Sequence, residues 1–460
     1  MNTTPEVRAG DVVPWSVRSR LRGLLPGSMA GILRSSISLP RIRQAGLCFV
    51  DQAFSVGGMF LANVVLARTQ PKEEYGVFTL SYSVFTFLTA LHNASILEAF
   101  TIYGSGRYRE HFSAYGRLLW RSNIALSVGI SVALIVAWRV LSWSVPSFGS
   151  YTILGMALTC GVLLSATFVR RTFYVRRRPD LAARVSVVFF LTCACLLWLA
   201  VRFGVLNGFY AFLVVALAWC VACIFVIAEL PGKGSSQDFM DLQPGYWSEH
   251  WKYSRWVLFT AFVVQSTTQG YYWLLAGFLS VKEVANLRAM TMIVTPMDQV
   301  FVALNYLVLP IMASLYATLR TDDLLSLWRK YALGISGLTV CFAFFVRIFG
   351  RSVMHFLYAG KFDSLTPLLS TLAFLPIVMG IGYTITAALQ SAEKPKLVFW
   401  GYLAGGVATF TLGIPLVVHF GLSGAVYGML LTGGAYSSVL GWGFATHVFK
   451  HAHSGAPSGS

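Results

Sequence analysis

Apolar runs of about twenty residues, each long enough to cross the hydrocarbon core of a bilayer as a helix, recur along almost the whole chain. Short polar breaks separate them, and a longer polar stretch divides them into two sets of six. The pattern predicts about twelve transmembrane helices, near residues 45–67, 77–99, 119–138, 151–170, 184–202, 208–229, 256–279, 289–317, 331–350, 365–391, 397–418 and 424–447. The predicted fold class is an all-α polytopic membrane protein.

The composition agrees with this fold class. Hydrophobic residues make up 56% of the 460 residues and charged residues only 12%, against about 25% charged in a soluble protein. The net charge of +17 would suit nucleic acid, but the Lys and Arg residues lie between the apolar runs. Most fall on one side of the membrane if the N-terminus is cytoplasmic, as the positive-inside rule requires. We therefore expect a multi-pass protein with both termini cytoplasmic and no nucleic-acid partner.

The polar breaks also indicate the domain organisation. Residues 1–43 hold seven Arg and no apolar core, so they predict a basic cytoplasmic segment rather than a cleavable signal peptide. Residues 44–230 and 252–449 are the two predicted six-helix bundles. A cytoplasmic linker at 231–251 joins them, and 450–460 is a flexible C-terminal tail.

Two pairs of short motifs indicate an internal repeat. R-R-P-D-L (Arg177–Leu181), an apolar run and F-G-V-L-N-G (Phe203–Gly208) follow one another in the first half. E-K-P-K-L (Glu393–Leu397), an apolar run and F-G-L-S-G (Phe420–Gly424) do so in the second. Each copy has six helices, an even number, so both insert in the same direction. The two bundles should then be related by a pseudo-two-fold axis along the membrane normal.

Polar residues recur at helical spacing on four predicted spans, the first two of each half. Polar side chains inside a membrane helix are costly, so they face protein or water rather than lipid. The four stripes predict a substrate cavity along the seam between the halves, lined by Gln52, Asn63, Tyr82, Thr86, Asn93, Gln265, Gln269, Tyr272, Thr295 and Asn305. The alternative interpretation is hydrogen bonding between helices, which suits Ser and Thr.

Three carboxylates are candidates for binding a coupling ion: Asp298, Asp51 and Glu98. Asp298 lies near the middle of span eight, where an ionised carboxylate costs about 2.5–3.5 kcal/mol. We expect it to bind the coupling proton or cation. Asp51 and Glu98 lie nearer the cytoplasmic ends of spans one and two. The alternative for Asp298 is a hydrogen bond that ties span eight to a neighbour such as span seven.

Motifs for bond-breaking chemistry are missing from the sequence. It contains no G-x-x-x-x-G-K-[ST] and no H-E-x-x-H. Cys220 and Cys223 have the C-x-x-C spacing of a redox pair, but they lie inside an apolar run and are interpreted as small helix residues. We expect no catalytic residues, no cofactor and no metal site, and thus a protein that is not an enzyme.

Four segments resemble a known family. They are L-A-R-T-Q-P-K-E-E-Y-G-V-F-T-L (Leu66–Leu80), L-Y-A-G-K-F-D-S-L-T-P-L-L (Leu357–Leu369), A-L-Q-S-A-E-K-P-K (Ala388–Lys396) and H-F-G-L-S-G-A-V-Y-G (His419–Gly428). The chain is similar, over residues 44–448, to the polysaccharide-transport branch of the multidrug/oligosaccharidyl-lipid/polysaccharide exporter superfamily. These segments mark topology rather than chemistry.

The resemblance implies a flippase that moves an undecaprenyl-pyrophosphate-linked oligosaccharide across the bacterial inner (plasma) membrane by alternating access, for exopolysaccharide, capsule or O-antigen lipopolysaccharide assembly. The implied partners are the lipid-linked glycan, membrane lipid, a coupling proton or sodium ion, and polysaccharide assembly enzymes. Such proteins line the cavity with cationic side chains, whereas the stripes here are mostly neutral. The predicted pyrophosphate contacts are Arg121 and Arg255, at the cytoplasmic ends of spans three and seven.

Two other functions stay open. One is a drug or cation extruder of the same superfamily, although the basic cytoplasmic mouth suits an anionic pyrophosphate better than a cationic drug. The other is a membrane polysaccharide polymerase or ligase. That chemistry usually needs a long outward loop, and the longest one predicted is only Arg351–Ser364.

Overall fold

The structure, a computed structural model, describes residues 39–106, 108, 111–141, 147–226, 246–318 and 320–446. This part of the chain forms helices and turns and contains no strand. The helices are α1 Leu39–Thr69; α2, which comprises Lys72–His92, a π-helical turn Asn93–Leu97 and Glu98–Ser105; α3 Phe112–Leu141; α4 Ser147–Val175; α5 Pro179–Arg202; α6 Gly208–Ile224; α7 Tyr246–Phe278; α8 Val281–Ala317; α9 Thr321–Tyr358; α10, which comprises Thr366–Leu372 and Leu375–Ser391 after a 3-10 turn Asp363–Leu365; α11 Pro395–Thr411; and α12 Gly413–Phe444.

The prediction of twelve helices in two bundles is confirmed. Eight of the described helices (α1, α3, α4, α5, α8, α9, α10 and α12) are long and apolar enough to cross a membrane, by length and composition. The apolar α6 is shorter, with 17 residues. Some helices extend past their apolar runs: α8 begins at Val281 rather than near residue 289, and α9 continues to Tyr358. The predicted outward loop Arg351–Ser364 is therefore largely helical.

The backbone confirms the internal repeat at the proline motifs. Arg177 and Glu393 both have a φ of 57°, a left-handed conformation that is uncommon for residues other than glycine. In each case the following residue (Arg178 or Lys394) precedes the first proline of a helix, and its amide donates to a carbonyl of the preceding helix at 2.9 Å. The two halves thus turn between their fourth and fifth helices in the same way.

The glycine motifs also correspond. Gly204 follows α5 with a φ of 67°, and Gly421 interrupts α12 with a φ of 61°. The β-carbon of any other residue would be crowded at such angles. Gly421 marks the turn that the repeat predicts between spans eleven and twelve, so Gly413–Phe420 continues span eleven.

Helix packing within the two halves follows one scheme. In the first bundle α1 packs on α5, α2 on α4, and α6 on both α4 and α5. In the second bundle α7 packs on α11, α8 on α10, and α12 on both α10 and α11. These pairs are equivalent when six is added to each helix number. The halves meet mainly where α2 packs on α7 and α8, and α1 adds smaller contacts with α8 and α9. The four helices with the predicted polar stripes, α1, α2, α7 and α8, thus all take part in the seam.

Candidate substrate cavity between the two bundles

The seam between the bundles has two ends, named here for the predicted orientation. The outer end carries the α1–α2, α7–α8 and α9–α10 connections, and the inner end is the opposite one. Residues of α1 near the outer end, such as Ala62 and Leu66, are fully buried. Gln52 and Ala53, nearer the inner end, are exposed. The seam is therefore packed at its outer end and looser at its inner end.

Direct contact between α2 and α8 closes the outer end. The helices approach so closely at Gly76 that a β-carbon there would collide with the carbonyl oxygen of Val281. Beside this crossing, the Lys282 ammonium lies 2.8 Å from the Glu73 carboxylate of the other bundle. A residue larger than glycine at position 76 would hold the two helices apart.

The two sides of the seam differ although the repeat makes them equivalent. On one side α2 packs along α7, and His250 of α7 reaches the π-helical turn of α2, where its Nε2 lies 2.9 Å from the carbonyl oxygen of Ser95. On the other side α1 and α8 meet at few positions. One of them is a hydrogen bond of 3.4 Å from Gln52 Nε2 to Gln299 Oε1. The α1–α8 side is thus the more open one.

Arg288 is a cation in the outer part of the seam. Its Nε donates to Oδ1 of the fully buried Asn63 at 3.2 Å, and its guanidinium lies 5.0 Å from the ring centroid of Tyr82. Tyr272 lies beside the guanidinium and shares a 2.8 Å hydrogen bond with the Thr291 hydroxyl. Three predicted lining residues from three helices, Asn63, Tyr82 and Tyr272, therefore surround one arginine that the polar stripes did not include.

The guanidinium has neutral neighbours and no carboxylate partner. Besides Asn63, the tyrosine hydroxyls of Tyr272 and Tyr75 interact with it, and no carboxylate pairs with it within the described part of the chain. Tyr75 is fully buried, and its hydroxyl lies beside the guanidinium. A planar guanidinium that has no carboxylate partner binds phosphate oxygens well. Arg288 thus adds one cation to the mostly neutral residues predicted to line the seam.

A local signal could have located Arg288. The apolar run predicted that span eight begins near residue 289, which left Arg288 in a loop. Ser280 and Glu283 have the S-x-x-E spacing of a helix start, and α8 does begin directly after Ser280. With that start, Arg288 joins Thr291, Thr295 and Asp298 at helical spacing.

The other predicted lining residues differ in their surroundings. The Thr86 and Thr295 hydroxyls donate to carbonyls of their own helices, at 2.9 Å each, as in the alternative interpretation. Three side-chain oxygens are buried without a hydrogen-bond partner in the described structure, those of Asn93, Gln265 and Asn305. Gln269 is buried as well. Buried amide oxygens without partners usually bind water or ligand.

Asp298 lies near the middle of α8, about 25 Å from its first residue at 1.5 Å per residue. Its side chain is exposed, and it has no hydrogen bond or ion pair within the described part of the chain. Tyr383 of α10 is close to it. The alternative of a hydrogen bond from Asp298 to span seven is therefore not observed. An ion-coupling role stays a prediction.

Asp51 has the opposite environment. The fully buried carboxylate accepts hydrogen bonds from Arg170 Nη2 at 2.6 Å and Nε at 3.2 Å, and from the hydroxyls of Tyr174 and Ser186 at 2.5 Å each. The guanidinium of Arg170 also lies 5.6 Å from the Trp219 ring centroid. These contacts join α1, α4, α5 and α6. The coupling role predicted for Asp51 has no open ligand position in this conformation.

The remaining predicted residues lie toward the inner end. Glu98 is half-buried and begins the helical segment after the π-helical turn of α2, a kind of turn often found at functional sites. Arg121 on α3 and Arg255 on α7 are both exposed. Arg255 lies 5.9 Å from the ring centroid of Trp256. Pyrophosphate contact at these two arginines stays a prediction.

No protein-family model matches the chain, and no curated protein matches its sequence. Solved structures match its fold. An inward-facing conformation of a multidrug resistance MATE family transporter of the MOP superfamily has a TM-score of 0.75 at 12% identity, over 89% of this chain and 100% of that one. An outward-facing conformation of such a transporter has a TM-score of 0.63 at 13% identity, over 88% and 94%.

A MOP superfamily transporter from Pyrococcus furiosus, described as having a binding pocket of reverse polarity, has a TM-score of 0.64 at 12% identity, over 90% of this chain and 96% of that one. MOP is the exporter superfamily to which the sequence motifs point. Identities this low relate folds and not substrates. The chain therefore has the two-bundle, multi-pass fold of the MATE family transporters of the MOP superfamily.

Proposed function

We propose that this protein is a flippase that carries a lipid-linked oligosaccharide with a pyrophosphate headgroup from the inner to the outer leaflet of the bacterial inner membrane by alternating access. The observation that carries the proposal is the guanidinium of Arg288 in the seam. Its neighbours are neutral side chains, and it has no neutralising carboxylate among the described residues. A fixed positive charge in a low-dielectric seam attracts a diphosphate strongly and repels a cation.

The open side of the seam supports a lipid substrate. A polyprenyl chain must stay in the bilayer while its headgroup crosses, so the protein needs an opening toward lipid. Few contacts join α1 and α8, whereas α2 is packed along α7. The lipid chain would pass between α1 and α8, and the headgroup would enter the seam from the inner end.

The conformation agrees with the first step of such a cycle. The outer end is closed at Gly76 and Val281, and Gln52 near the inner end is exposed. In the predicted orientation, this is the state that receives substrate from the cytoplasmic leaflet. A headgroup moving along α8 would pass Asp298 before it reached Arg288, about 15 Å farther at 1.5 Å per residue.

One observation favours a second candidate function, a drug or cation extruder. Asp298 is an exposed carboxylate with no partner among the described residues, and such a group attracts a cationic substrate. In the flippase it would instead bind the coupling proton or sodium ion.

Reconstitution separates the two functions. The purified protein in proteoliposomes should translocate an undecaprenyl-pyrophosphate-linked oligosaccharide and leave a cationic dye untransported. Arg288→Met, which keeps an unbranched stem without charge, should lose the oligosaccharide flux, and Arg288→Lys should keep part of it because the point charge remains. Dye transport that is unchanged or increased in Arg288→Met, with no oligosaccharide flux in the wild type, would establish the extruder instead.

A further inference from the structure

The α9–α10 connection of the second bundle inserts into the α1–α2 corner of the first bundle at the outer end of the seam. The ammonium of Lys361 donates to three main-chain carbonyl oxygens there: Ala67 at 2.8 Å, Arg68 at 3.1 Å and Gln70 at 2.6 Å. No function proposed so far involves these contacts.

The three carbonyls form a ready acceptor for a cation. The last carbonyls of a helix lack partners within the helix and carry its negative dipole end. Ala67 and Arg68 belong to the last turn of α1. The amide of Gln70 satisfies only the carbonyl of Leu66, at 2.9 Å. Lys361 therefore provides the donors that the end of α1 requires, and it does so from the other bundle.

An aromatic contact accompanies the ammonium. Phe362 is fully buried, and its ring centroid lies 6.3 Å from that of Tyr75 in the first bundle and 5.2 Å from that of Tyr358 in its own. The ammonium of Lys72 lies 4.8 Å from the centroid of Phe362 on the first-bundle side. Lys361 and Phe362 thus enter the first bundle together.

Each partner of the contact is held by hydrogen bonds within its own bundle. In the second bundle Ala359 and Gly360 have φ angles of 52° and 82°, and Nδ1 of His355 lies 2.8 Å from Oδ2 of Asp363 across this turn. In the first bundle the side-chain Nε2 of Gln70 donates to the carbonyl oxygen of Leu206 at 2.6 Å. Burial of the ammonium, together with the charge of Lys72, lowers the pKa of Lys361. Burying the ammonium therefore costs free energy, which its hydrogen bonds to the three carbonyl oxygens must offset.

We propose that Lys361 and Phe362 form a releasable contact that keeps the outer end of the seam closed. They hold the bundles together while the seam is open toward the inner end, and they withdraw as a unit when the outer end opens. The contact is made at the end of α1, and both of its side chains belong to the second bundle. The bundles must separate at this point in any outward-open state, so the contact belongs to one conformation and not to the fold as a whole.

Hydrogen–deuterium exchange of the full-length protein in lipid nanodiscs tests the proposal without any substrate. Lys361→Met keeps the apolar stem and removes the donors. We expect exchange to rise by about tenfold or more in the segments 70–83 and 281–290, which line the outer end of the seam. Exchange within 185–200 of α5 and 397–408 of α11, inside the two bundles, should not change.

The matched control is Lys282→Met, which breaks the exposed ion pair with Glu73 across the same gap. Exposed ion pairs contribute little, so exchange at the outer end should stay at the wild-type level. Three outcomes would overturn the proposal: no change in Lys361→Met, an equal rise in Lys282→Met, or a rise inside both bundles that shows a general loss of structure. If exchange at the outer end rises as expected but no oligosaccharide is transported, the role of Lys361 and Phe362 is supported and only the substrate assignment fails.

Discussion

Asp51 and Asp298 are both carboxylates of seam helices, one in each half of the repeat, and the structure gives them opposite surroundings. Asp51 is fully buried and bound by Arg170, Tyr174 and Ser186. Asp298 is exposed and has neither a hydrogen bond nor an ion pair among the described residues. The first half thus neutralises its carboxylate internally, and the second half leaves its carboxylate without a partner among the described residues.

The difference shows that depth in the membrane does not decide the role of a carboxylate. The number of groups already bound to the carboxylate decides its role. A carboxylate oxygen that accepts a guanidinium and a hydroxyl has little capacity left for a proton or a sodium ion. By this criterion Asp298 is the better candidate for ion coupling, and Asp51 stabilises the first bundle. The variants below test this assignment, from the largest expected effect to the smallest.

The largest effect should follow from Arg170→Ala. This change leaves the buried carboxylate of Asp51 without its counter-charge, and breaking a buried ion pair costs about 3–5 kcal/mol. We expect the free energy of unfolding, measured by denaturant titration in detergent micelles, to fall by this amount. Arg178→Ala is the matched control, because its pair with Asp180 is largely exposed and should cost less than about 1 kcal/mol. Equal stability of the two variants would contradict the structural role of Asp51.

Asp298→Asn should separate stability from transport. It removes a charge that has no partner among the described residues, so the free energy of unfolding should change by less than about 1 kcal/mol. Transport against a gradient should be lost, because asparagine cannot bind a proton or hold a cation by charge. The measurement compares accumulation in proteoliposomes with and without an imposed ion gradient. Full gradient-driven accumulation in Asp298→Asn would remove the coupling role.

The smallest effect should follow from replacing the exposed arginines Arg121 and Arg255 together by alanine. Exposed charges are screened by salt over about 10 Å at 0.1 M ionic strength. If they capture pyrophosphate at the inner leaflet, initial transport rates should fall severalfold at low salt and much less at high salt. Folding should be unaffected. Unchanged rates at low salt would show that these residues serve only the positive-inside rule.

The repeat and the helices could be predicted because local rules determine them. The length of the apolar runs predicted the twelve helices. The proline motifs and the F-G motifs, in the same order in both halves, predicted the repeat, and the backbone at Arg177 and Glu393 agrees in conformation. The same apolar criterion misplaced the ends of α8 and α9, because these helices continue beyond the hydrocarbon-length run.

The two cations at the seam were missed, Arg288 because α8 begins earlier than predicted and Lys361 because it lies in a connecting turn. Arg288 and Lys361 both lay in predicted loops, where a basic residue needs no explanation beyond topology. Their roles depend on neighbours from the other bundle, Asn63 and Tyr82 for Arg288 and the end of α1 for Lys361. Such long-range pairs follow from how the halves dock, which local patterns do not encode. The partners of Asp51 were hidden in the same way, since Arg170 stands at the end of a different predicted span.

The central claim is that Arg288 selects an anionic, lipid-linked headgroup, and equilibrium binding tests it most directly. Native mass spectrometry of the purified protein with undecaprenyl pyrophosphate measures the Kd for wild type and for Arg288→Met. Loss of a charged hydrogen bond costs about 1.5–3 kcal/mol, so the Kd should rise roughly 10- to 150-fold in the variant. Arg351→Met, on the outer part of α9, should bind as the wild type does. Equal affinity of Arg288→Met and wild type for undecaprenyl pyrophosphate would contradict the claim.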